Sequence, residues 1–419
     1  MLDLRVIRDR TEEVRKNLRN RNVQVDLERL LEADRLVRET IGELEGVRRR
    51  RNEIGAKMKG SLPKEEREPL IEEGRGLKEQ EPQLESRHRE LEAERNELLQ
   101  QVPNLTHPDS PVGADEEDNR VLREHGERPQ LDFEPKDHVE LMEALELVDF
   151  EGGAKVAGPK FYYLKNEAVL LELALLQFAA GLLREEGFTL FMTPDLARQE
   201  ILSGIGFNPR GESTQIYSVA DTDLSLVATA EITLGGLLSG EILDEAQLPL
   251  LCGGISHCFR TEAGSAGRES RGLYRVHQFT KAEMFAFVHP DRSDEMLERF
   301  LAIEERIYRE LEIPYRVVDI CTGDLGAPAY RKYDLEAWMP GRGKWGEITS
   351  ASNCTDYQAR RLNIRFKSPG AKGTRFVHMI NGTAIAISRA LIAIVENGQR
   401  SDGSIRLPRC LGLADIAPR

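Results

Sequence analysis

The sequence predicts an α+β protein in two parts: an N-terminal antiparallel two-helix coiled-coil arm, and a domain built on an antiparallel β-sheet flanked by helices. Three observations carry this prediction. Leucine recurs at every seventh position from residue 70 to residue 98. Residues 103–137 are rich in Pro, Asp, Glu and Gly, which is typical of a linker. Strand-like segments with few helices between them follow from residue 188 onward. We therefore expect the arm over residues 1–105 and the second domain over 106–419.

The composition excludes several classes of protein. The chain has 419 residues, of which 40% are hydrophobic and 31% charged, so it can build a core and is not a disordered chain. No apolar run approaches the roughly 20 residues of a membrane span. The five scattered cysteines, with no apolar segment after Met1, predict a reduced, cytoplasmic protein without a membrane partner. The net charge of −14 means that a nucleic acid must be met by a local basic surface.

Two hydrophobic seams predict the arm. The heptad leucines of the second helix are Leu70, Leu77, Leu84, Leu91 and Leu98. The looser seam of the first helix consists of Leu30, Val37, Ile41, Leu44, Ile54 and Met58. Residues 59–63 (KGSLP) predict a turn between the two helices. Pro82 predicts a bent second helix rather than two separate ones, because the leucine register continues past it.

Two uses of this arm fit the residues. Narrow seams surrounded by charged positions are typical of a dimerising coiled coil or a spacer. The basic stretch Arg48, Arg49, Arg50 and Arg51 also fits contacts to the phosphates of a large partner. A charge run is more often a solvated helix face, so the arm by itself leaves both uses open.

The second domain is expected to contain helices over 168–186 and 383–397. Its strands are expected over residues 188–192, 251–259, 276–288, 315–320, 333–339 and 347–354.

The segment after residue 259 has the residue types of a nucleotide site on a sheet. Arg260 is expected at a strand end, where its guanidinium can form paired hydrogen bonds with a phosphate. Glu262, two residues later on the same strand face, can accept a hydrogen bond from an exocyclic amine. Arg275 and Phe279 follow on a returning strand, and Phe279 offers a stacking surface to a base. A weak surface ion pair is the alternative that this segment alone leaves open.

Two further segments suggest a metal ion and an anion. In a regular strand, Glu347 and Thr349 would share one face, with Ile348 and Ser350 on the other. A buried carboxylate near phosphates is a natural Mg²⁺ ligand, and a cross-strand ion pair is the alternative. Arg389 is the lone charge between residues 382 and 395, so it needs an anion, an aromatic face or solvent.

Over essentially its whole length the chain resembles the class II seryl-tRNA synthetases, in their ordinary, zinc-free form. The hairpin is similar to the tRNA-binding arm of that family, and the domain after it is similar to the class II catalytic domain. Residues 187–194 resemble the family's strand at the dimer interface. The segments that carry the resemblance are 187–194 (GFTLFMTP), 229–231 (TAE), 259–264 (FRTEAG), 275–279 (RVHQF), 281–283 (KAE), 347–350 (EITS), 354–361 (CTDYQARR) and 381–389 (NGTAIAISR).

The resemblance implies a role for each matching residue. The catalytic positions would be Arg260, Glu262, Arg275 and Arg389. ATP would be bound by Arg260, Thr261, Glu262, Arg275, Val276, Phe279, Glu347, Ile348, Thr349, Ser350 and Arg389. Serine would be bound by Thr229, Ala230, Glu231, Arg260, Glu283, Asn381 and Thr383. Mg²⁺ would be held with ATP by Glu347 and Ser350, and tRNA by Arg48, Arg49, Arg50 and Arg51.

The resemblance also implies the activity. It predicts a homodimeric serine–tRNA ligase that converts L-serine and ATP to seryl-adenylate and pyrophosphate. The seryl group would then pass to the 3′ end of serine tRNA, and to selenocysteine tRNA where one exists. Two alternatives are a catalytically altered paralogue, which would be expected to lack one of the catalytic residues, and a ligase that loads carrier proteins, which would lack the arm.

Overall fold

The computed structural model of the chain describes residues 1–61, 63–207, 215–263 and 271–419. The chain divides into two compact units, Met1–Pro103 and Asn104–Arg419. Leu62 of the expected turn and Gly264 of the FRTEAG segment lie outside the described residues.

The first unit is helical. Its helices are α1 (Leu4–Asp9), α2 (Thr11–Asn20), α3 (Leu27–Met58) and α4 (Lys64–Gln101). Arg29 of α3 pairs with Glu94 of α4, and Arg50 pairs with Glu73, both at 2.6 Å. Early residues of α3 therefore meet late residues of α4, and the antiparallel two-helix arm is confirmed. The helix α3 begins where the Asp26 side chain accepts a hydrogen bond from the Arg29 N–H, at 2.9 Å.

The buried seam of α3 follows two heptad positions. Its buried members are Leu30, Ala33, Val37, Thr40, Leu44, Val47 and Ile54. Ile41 was expected in the seam, but its side chain is 38% exposed, so that assignment is wrong. It follows the seam residue Thr40 by one position and is therefore rotated by about 100° around the helix.

The helix α4 is continuous although it contains Pro69 and Pro82. The expectation that Pro82 does not divide it is confirmed. Leu84 is buried against Leu44 and Val47 of α3, and Leu77 packs on this cluster. The other heptad leucines, Leu70, Leu91 and Leu98, are half-buried.

The second unit mixes helices and strands. Its helices are α5 (His138–Ala144), α6 (Phe150–Ala157), α7 (Glu167–Glu185), α8 (Gln199–Ile205), α9 (Ala230–Gly236), α10 (Ser293–Glu310), α11 (Tyr357–Leu362) and α12 (Ile387–Gly398). Its strands are β1 (Arg120–His125), β2 (Val148–Asp149), β3 (Tyr163–Leu164), β4 (Thr189–Met192), β5 (Leu196–Arg198), β6 (Leu224–Leu226), β7 (Ile242–Asp244), β8 (Leu250–Phe259), β9 (Gln278–Val288), β10 (Tyr315–Asp319), β11 (Arg331–Met339), β12 (Lys344–Asn353), β13 (Arg365–Lys367), β14 (Arg375–Phe376) and β15 (His378–Ala386).

The main sheet has the strand order β1-β10-β11-β12-β15-β9-β8-β4. All neighbouring pairs in it are antiparallel except β4 and β8, which are parallel. The predicted α+β class, with a helical arm and an antiparallel sheet flanked by helices, is confirmed.

The helices α7 and α10 cover the same face of this sheet. A Cβ on Gly382 of β15 would lie 3.2 Å from the Glu304 carboxyl of α10, and a Cβ on Gly253 of β8 would lie 3.1 Å from Leu183 of α7. Both glycines pair with Met284 of β9, so they point to one face, which we call the helix face.

The linker expected over residues 103–137 is wrong in part, because it contains β1. This strand pairs with β10 at the edge of the main sheet. All its side chains are exposed, so it lacks the alternation that announces a strand. The Asn104 side chain also donates to the Pro328 and Cys354 carbonyls, both at 2.9 Å, which ties the start of the segment into the second unit.

The helix expected over residues 383–397 begins later than predicted. Residues 383–386 belong to β15, and α12 begins at Ile387. The run is buried on every side, and an apolar run without alternation does not reveal by itself where a strand becomes a helix. Within the described residues, none of the helices combines the length and the apolar character of a membrane span.

Candidate active site

The sheet face opposite the helix face carries a row of polar side chains. Thr383 lies directly across from Glu283, and Lys281 lies two residues before Glu283, so all three point to one face. Lys281 in turn lies across from Ser256 of β8. Because Gly382 points to the helix face, its neighbour Thr383 points away from that face. We call this second face the site face.

A β-bulge reorders the side chains of β12. Glu347 and Ser350 are three positions apart, whereas the residues of β11 that pair with them are two apart. The extra residue between them reverses the alternation, so Glu347 and Ser350 share the site face. Thr349 points to the helix face. The expectation that Glu347 and Thr349 share a face assumed a regular strand and is wrong for this reason.

The site face forms the floor of a cleft with about 600 Å³ of empty space, including its open mouth. The predicted residues that line it are Arg260, Glu262, Arg275, Val276, Phe279, Glu347, Ile348, Thr349, Ser350, Thr383 and Arg389. The lining residues that were not predicted are Tyr274, Lys281, Ala386 and Ser388.

Arg260 is held at the end of β8. Its backbone N–H donates to the His277 carbonyl at 3.0 Å, and its carbonyl lies 2.8 Å from His277 Nδ1. The Arg260 guanidinium lies over the ring of Phe279, 5.2 Å from its centre. These contacts hold Arg260 between the end of β8 and the start of β9.

Glu262 does not continue the strand, contrary to expectation. The strand β8 ends at Phe259, and Glu262 has a φ of 51°, in the left-handed region. Such a backbone costs on the order of 1 kcal/mol in a residue other than glycine, and this kind of strain is often found at functional sites. The argument from strand alternation therefore fails, but Glu262 still lines the cleft with Arg260 and contacts Arg275 at 3.4 Å.

Arg389 enters the cleft from α12. Its guanidinium donates to the Glu347 carbonyl at 2.9 Å, lies 3.1 Å from the Glu347 carboxylate, and lies 4.8 Å from the centre of the Tyr274 ring. Burial opposes ionisation of Glu347, but Arg389 and Lys332 outweigh it and lower the pKa of Glu347 to about 2. Glu347 therefore carries its charge at neutral pH.

A second polar group lies where α9 meets the sheet. Thr229 caps α9 by accepting a hydrogen bond from the Glu231 N–H at 3.2 Å. The Glu231 carboxylate accepts hydrogen bonds from Gln358 Nε2 at 2.7 Å and from Asn381 Nδ2 at 3.0 Å. The chain thus brings together residues from three distant segments around one half-buried carboxyl group, that of Glu231.

The carboxyl groups of this region resist ionisation. Burial and then the charge of Glu283 raise the pKa of Glu231 to about 7. Burial also raises the pKa of Glu283, although Lys281 at 2.5 Å opposes the shift. Two carboxyl groups and Lys281 thus lie together beside the cleft, an arrangement suited to a ligand that carries an ammonium group and a second polar group.

Two family models match the chain. The seryl-tRNA synthetase N-terminal domain matches residues 1–106, and the tRNA synthetase class II core domain (G, H, P, S and T) matches residues 217–398. The serine–tRNA ligase of Rubrobacter xylanophilus is 57% identical over 98% of this chain and 97% of its own length. That of Dictyoglomus turgidum is 54% identical over the full length of both.

The chain belongs to the seryl-tRNA synthetase family. Solved structures agree with this. The seryl-tRNA synthetase from Pyrococcus horikoshii complexed with ATP has a TM-score of 0.91 and 42% identity, with both chains fully covered. The cytoplasmic serine–tRNA ligase from Naegleria fowleri in complex with AMP has a TM-score of 0.85 and 32% identity, over 97% of this chain and 96% of that one.

Six residues that the seryl-tRNA synthetase resemblance assigned to ligands are not among the residues that line the cleft. Four of them, Thr229, Glu231, Glu283 and Asn381, belong to the second polar group beside it. The other two are Thr261 and Ala230. The Thr261 N–H donates to the Gln215 carbonyl at 3.1 Å, and its hydroxyl accepts from the Ala263 N–H at 3.4 Å. Ala230 is fully buried at the start of α9, where a Cβ on Gly254 would lie 3.1 Å from it. Their roles stay predictions.

The resemblance also left three residues of the seryl-tRNA synthetase site without a role. Lys281 could have been predicted from the sequence, because it stands two residues before Glu283 on the same strand and so points to the same face. Gln358 lies inside a matching segment and Tyr274 directly before one, but their partners are distant in sequence. Tyr274 meets Arg389 after a separation that no local pattern reveals.

The four arginines of the arm have different surroundings. Arg48 and Arg51 both pair with Glu81 of α4, and Arg50 pairs with a glutamate nearer the turn. Among the described residues no ion pair of Arg49 is found. Three of the predicted tRNA contacts therefore bridge the two helices, while Arg49 is exposed and available to another partner.

Proposed function

We propose that this chain activates L-serine with ATP and transfers the seryl group to the 3′ end of serine tRNA. One observation carries the proposal. On one face of a single sheet, the cations Arg260, Arg275 and Arg389 adjoin a group of polar side chains that includes Glu231 and Glu283. The first group is suited to a nucleoside triphosphate, and the second to an amino acid with an ammonium and a hydroxyl group.

The first chemical step needs positioning and charge neutralisation. An oxygen of the serine carboxylate attacks the α-phosphorus of ATP, the bond to the bridging oxygen breaks, and pyrophosphate leaves. Arg260 would bind the α-phosphate and Arg275 the γ-phosphate as charge shifts to the leaving group. No side chain has to become a covalent nucleophile, because the aligned substrates supply both reacting atoms.

The adenine would lie between Phe279 and Arg389. Glu262 would accept a hydrogen bond from the adenine amine, which would distinguish adenine from a base with a carbonyl at that position. The strained backbone of Glu262 supports this assignment, because it turns the carboxylate into the cleft instead of along the strand.

The residues of β12 fit a Mg²⁺ ion that enters with ATP. Mg²⁺ prefers oxygen ligands and usually takes one or two carboxylates together with substrate phosphates. The bulge places the Glu347 carboxylate and the Ser350 hydroxyl on one face, and the lowered pKa of Glu347 keeps that ligand charged. When bound, the ion neutralises phosphate charge.

The pocket around Glu231 would select serine. Thr229 and Glu231 would bind the serine ammonium, and Asn381 would orient Glu231 through the hydrogen bond that it already donates. Glu283 and Thr383, which lie across from each other, would pair with the serine hydroxyl. Alanine would leave these buried groups unpaired, which gives the site its discrimination.

The second step requires tRNA. A terminal ribose hydroxyl attacks the activated seryl carbonyl, and AMP leaves. The arm would bind the tRNA through phosphate contacts, and Arg49, which is exposed and has no ion pair among the described residues, supports such a contact. Selenocysteine tRNA would be charged by the same chemistry where one exists.

A homodimer is supported by an exposed apolar surface of the second unit. Leu170 and Leu173 of α7 are 56% and 59% exposed, and Met192 of β4 is 80% exposed. Leu170 and Leu173 lie about one turn apart on the same side of α7. Sedimentation velocity should show a dimer for the wild type and a monomer for Leu173→Asp, with Val112→Asp, exposed elsewhere, as the control. A monomeric wild type would contradict the homodimer.

The test of the activity is ATP–pyrophosphate exchange with each of the twenty amino acids, without tRNA. Serine alone should support exchange. Thr383→Val keeps the side-chain shape without the hydroxyl, so it should raise KM for serine far more than KM for ATP. Equal effects on both would show that Thr383 does not contact serine. No exchange from the folded protein would favour a binding paralogue, and a charging assay with serine tRNA would then test the transfer step.

A further inference from the structure

Tyr274 stands between two cations at the wall of the cleft. The guanidinium carbon of Arg389 lies 4.8 Å from the centre of its ring, and that of Arg342 lies 4.0 Å from it. Both distances are within the range of a cation–π contact. Tyr274 lines the cleft but lies before β9, outside any regular strand, so its ring is placed by these contacts and by packing.

The packing around the ring leaves little freedom. A Cβ on Gly346 would lie 3.2 Å from Cε2 of Tyr274 and 3.0 Å from the Met339 side chain. The ring therefore rests against the backbone of β12 immediately before Glu347. Burial raises the pKa of the Tyr274 hydroxyl, so the ring is neutral at physiological pH and keeps its attraction for cations.

Arg389 is consequently held on two sides before any ligand arrives. Glu347 fixes its edge by the hydrogen bond at 2.9 Å and the ion pair at 3.1 Å. The Tyr274 ring, 4.8 Å from the guanidinium carbon, limits its movement on another side. A preorganised guanidinium loses less rotamer entropy than a free arginine side chain does when a base stacks on it.

A second cation–ring pair lines the same cleft. Arg260 lies over Phe279 at 5.2 Å. The cleft therefore offers the ring of Phe279 and the guanidinium of Arg389 to a purine. The ring of Tyr274 already contacts Arg342 and Arg389, and a purine on Arg389 would add a further contact between a cation and a ring.

We propose that Tyr274 is a positioning residue for nucleotide binding: its ring helps to hold the Arg389 guanidinium in position for the adenine. This inference rests on the proposed function, since it assumes that the purine of ATP occupies this cleft. Nothing in Tyr274 has to touch the phosphates or serine for this role.

The test is calorimetric binding of ATP and of inorganic tripolyphosphate, which has the phosphates without the purine. Tyr274→Leu should weaken ATP binding about three- to tenfold, as expected for one lost cation–π contact, and leave tripolyphosphate binding unchanged. Tyr274→Phe keeps the ring and should bind both like the wild type. Tyr333→Leu is a matched control, because Tyr333 lies under Arg331 at 5.0 Å outside the cleft, so it should lower Tm without changing ATP affinity.

Two results would overturn the proposal. Equal losses of ATP and tripolyphosphate binding in Tyr274→Leu would place the effect on the phosphates. A loss in Tyr274→Phe equal to that in Tyr274→Leu would assign the role to the hydroxyl. Because binding is measured without serine, these outcomes remain distinct from failure of serine-dependent exchange, which would refute the proposed activity alone. In exchange assays, Tyr274→Leu should raise KM for ATP and not KM for serine.

Discussion

The affinity for serine should depend on pH through Glu231. Burial and the charge of Glu283 raise the pKa of the Glu231 carboxyl to about 7, well above its usual value. In the proposed site the ionised carboxylate binds the serine ammonium, whereas the protonated form lacks the charge to do so. The ammonium of free serine stays protonated through the neutral range, so Glu231 controls the pH dependence.

The size of the effect follows from the ionised fraction of Glu231. With a pKa of about 7, roughly nine-tenths of the free enzyme is ionised at pH 8 and roughly one-tenth at pH 6. Because the apparent dissociation constant is the intrinsic one divided by the competent fraction, KM for serine should rise about tenfold from pH 8 to pH 6. The KM for ATP should change far less, since Glu347 has a pKa of about 2 and remains ionised across this window.

The assay is serine-dependent ATP–pyrophosphate exchange at several pH values, with circular dichroism at each to establish that the protein stays folded. Glu231→Gln is the matched variant. It keeps an oxygen that can accept hydrogen bonds from Gln358 and Asn381 but has no charge. We expect it to have a high KM for serine at every pH, with no slope between pH 6 and pH 8.

Two results would refute this reasoning. A KM for serine that is flat from pH 8 to pH 6 in the folded wild type would show that Glu231 is not the titrating group that binds the ammonium. A slope that persists in Glu231→Gln would assign the titration elsewhere, and Glu283 would be the next carboxyl to test, because burial raises its pKa as well.

Three further perturbations follow from the geometry. Arg49→Ala should weaken tRNA binding and reduce the slope of log affinity against log salt concentration by about one, while Arg50→Ala, whose side chain bridges the hairpin, should mainly lower Tm. Filter binding across a salt series measures this difference. A reduced slope in Arg50→Ala and an unchanged slope in Arg49→Ala would place the contact on the other side of the arm. Gly382→Ala puts a Cβ 3.0 Å from Phe300 and should destabilise the fold by about 1–3 kcal/mol, measured by urea unfolding; an unchanged midpoint would show that α10 yields freely. Burial raises the pKa of Glu304 well above its usual value, so the folded state holds this proton more tightly than the unfolded chain and loses stability as pH rises above the unfolded pKa. Glu304→Gln should therefore raise Tm more at pH 8 than at pH 5. An equal rise in Tm at both pH values would contradict a buried acid at this position.

Local sequence patterns were enough to predict the helices and strands whose hydrophobic residues repeat with a regular period. The heptad leucines predicted the antiparallel arm because a helix that buries one seam must repeat it every seven residues. The same rule, applied strictly, would have chosen Thr40 and Val47 over Ile41. The strands β8, β9 and β11 were also predicted, since their apolar runs are bounded by turns.

At the candidate active site, sequence motifs predicted more of the residues than hydrophobic periodicity did. The segments around Arg260, Arg275 and Arg389 predicted the family and most of the residues that line the cleft. They could do so because the chemistry of phosphate and adenine binding restricts residue types wherever the backbone carries them. The arm showed the limit of this approach, since a run of arginines does not reveal which of them pair with the opposite helix.

The sequence by itself therefore determined the arm, the class of fold and the identities of the binding groups. Only the tertiary structure decided which face each group occupies and what charge it carries. The bulge beside Ile348 reverses the alternation of β12, and the pKa values of Glu231 and Glu347 diverge because one is buried beside another carboxyl and the other beside Arg389. Strand register and side-chain pKa values depend on neighbours that are distant in sequence, so no local sequence pattern predicts them.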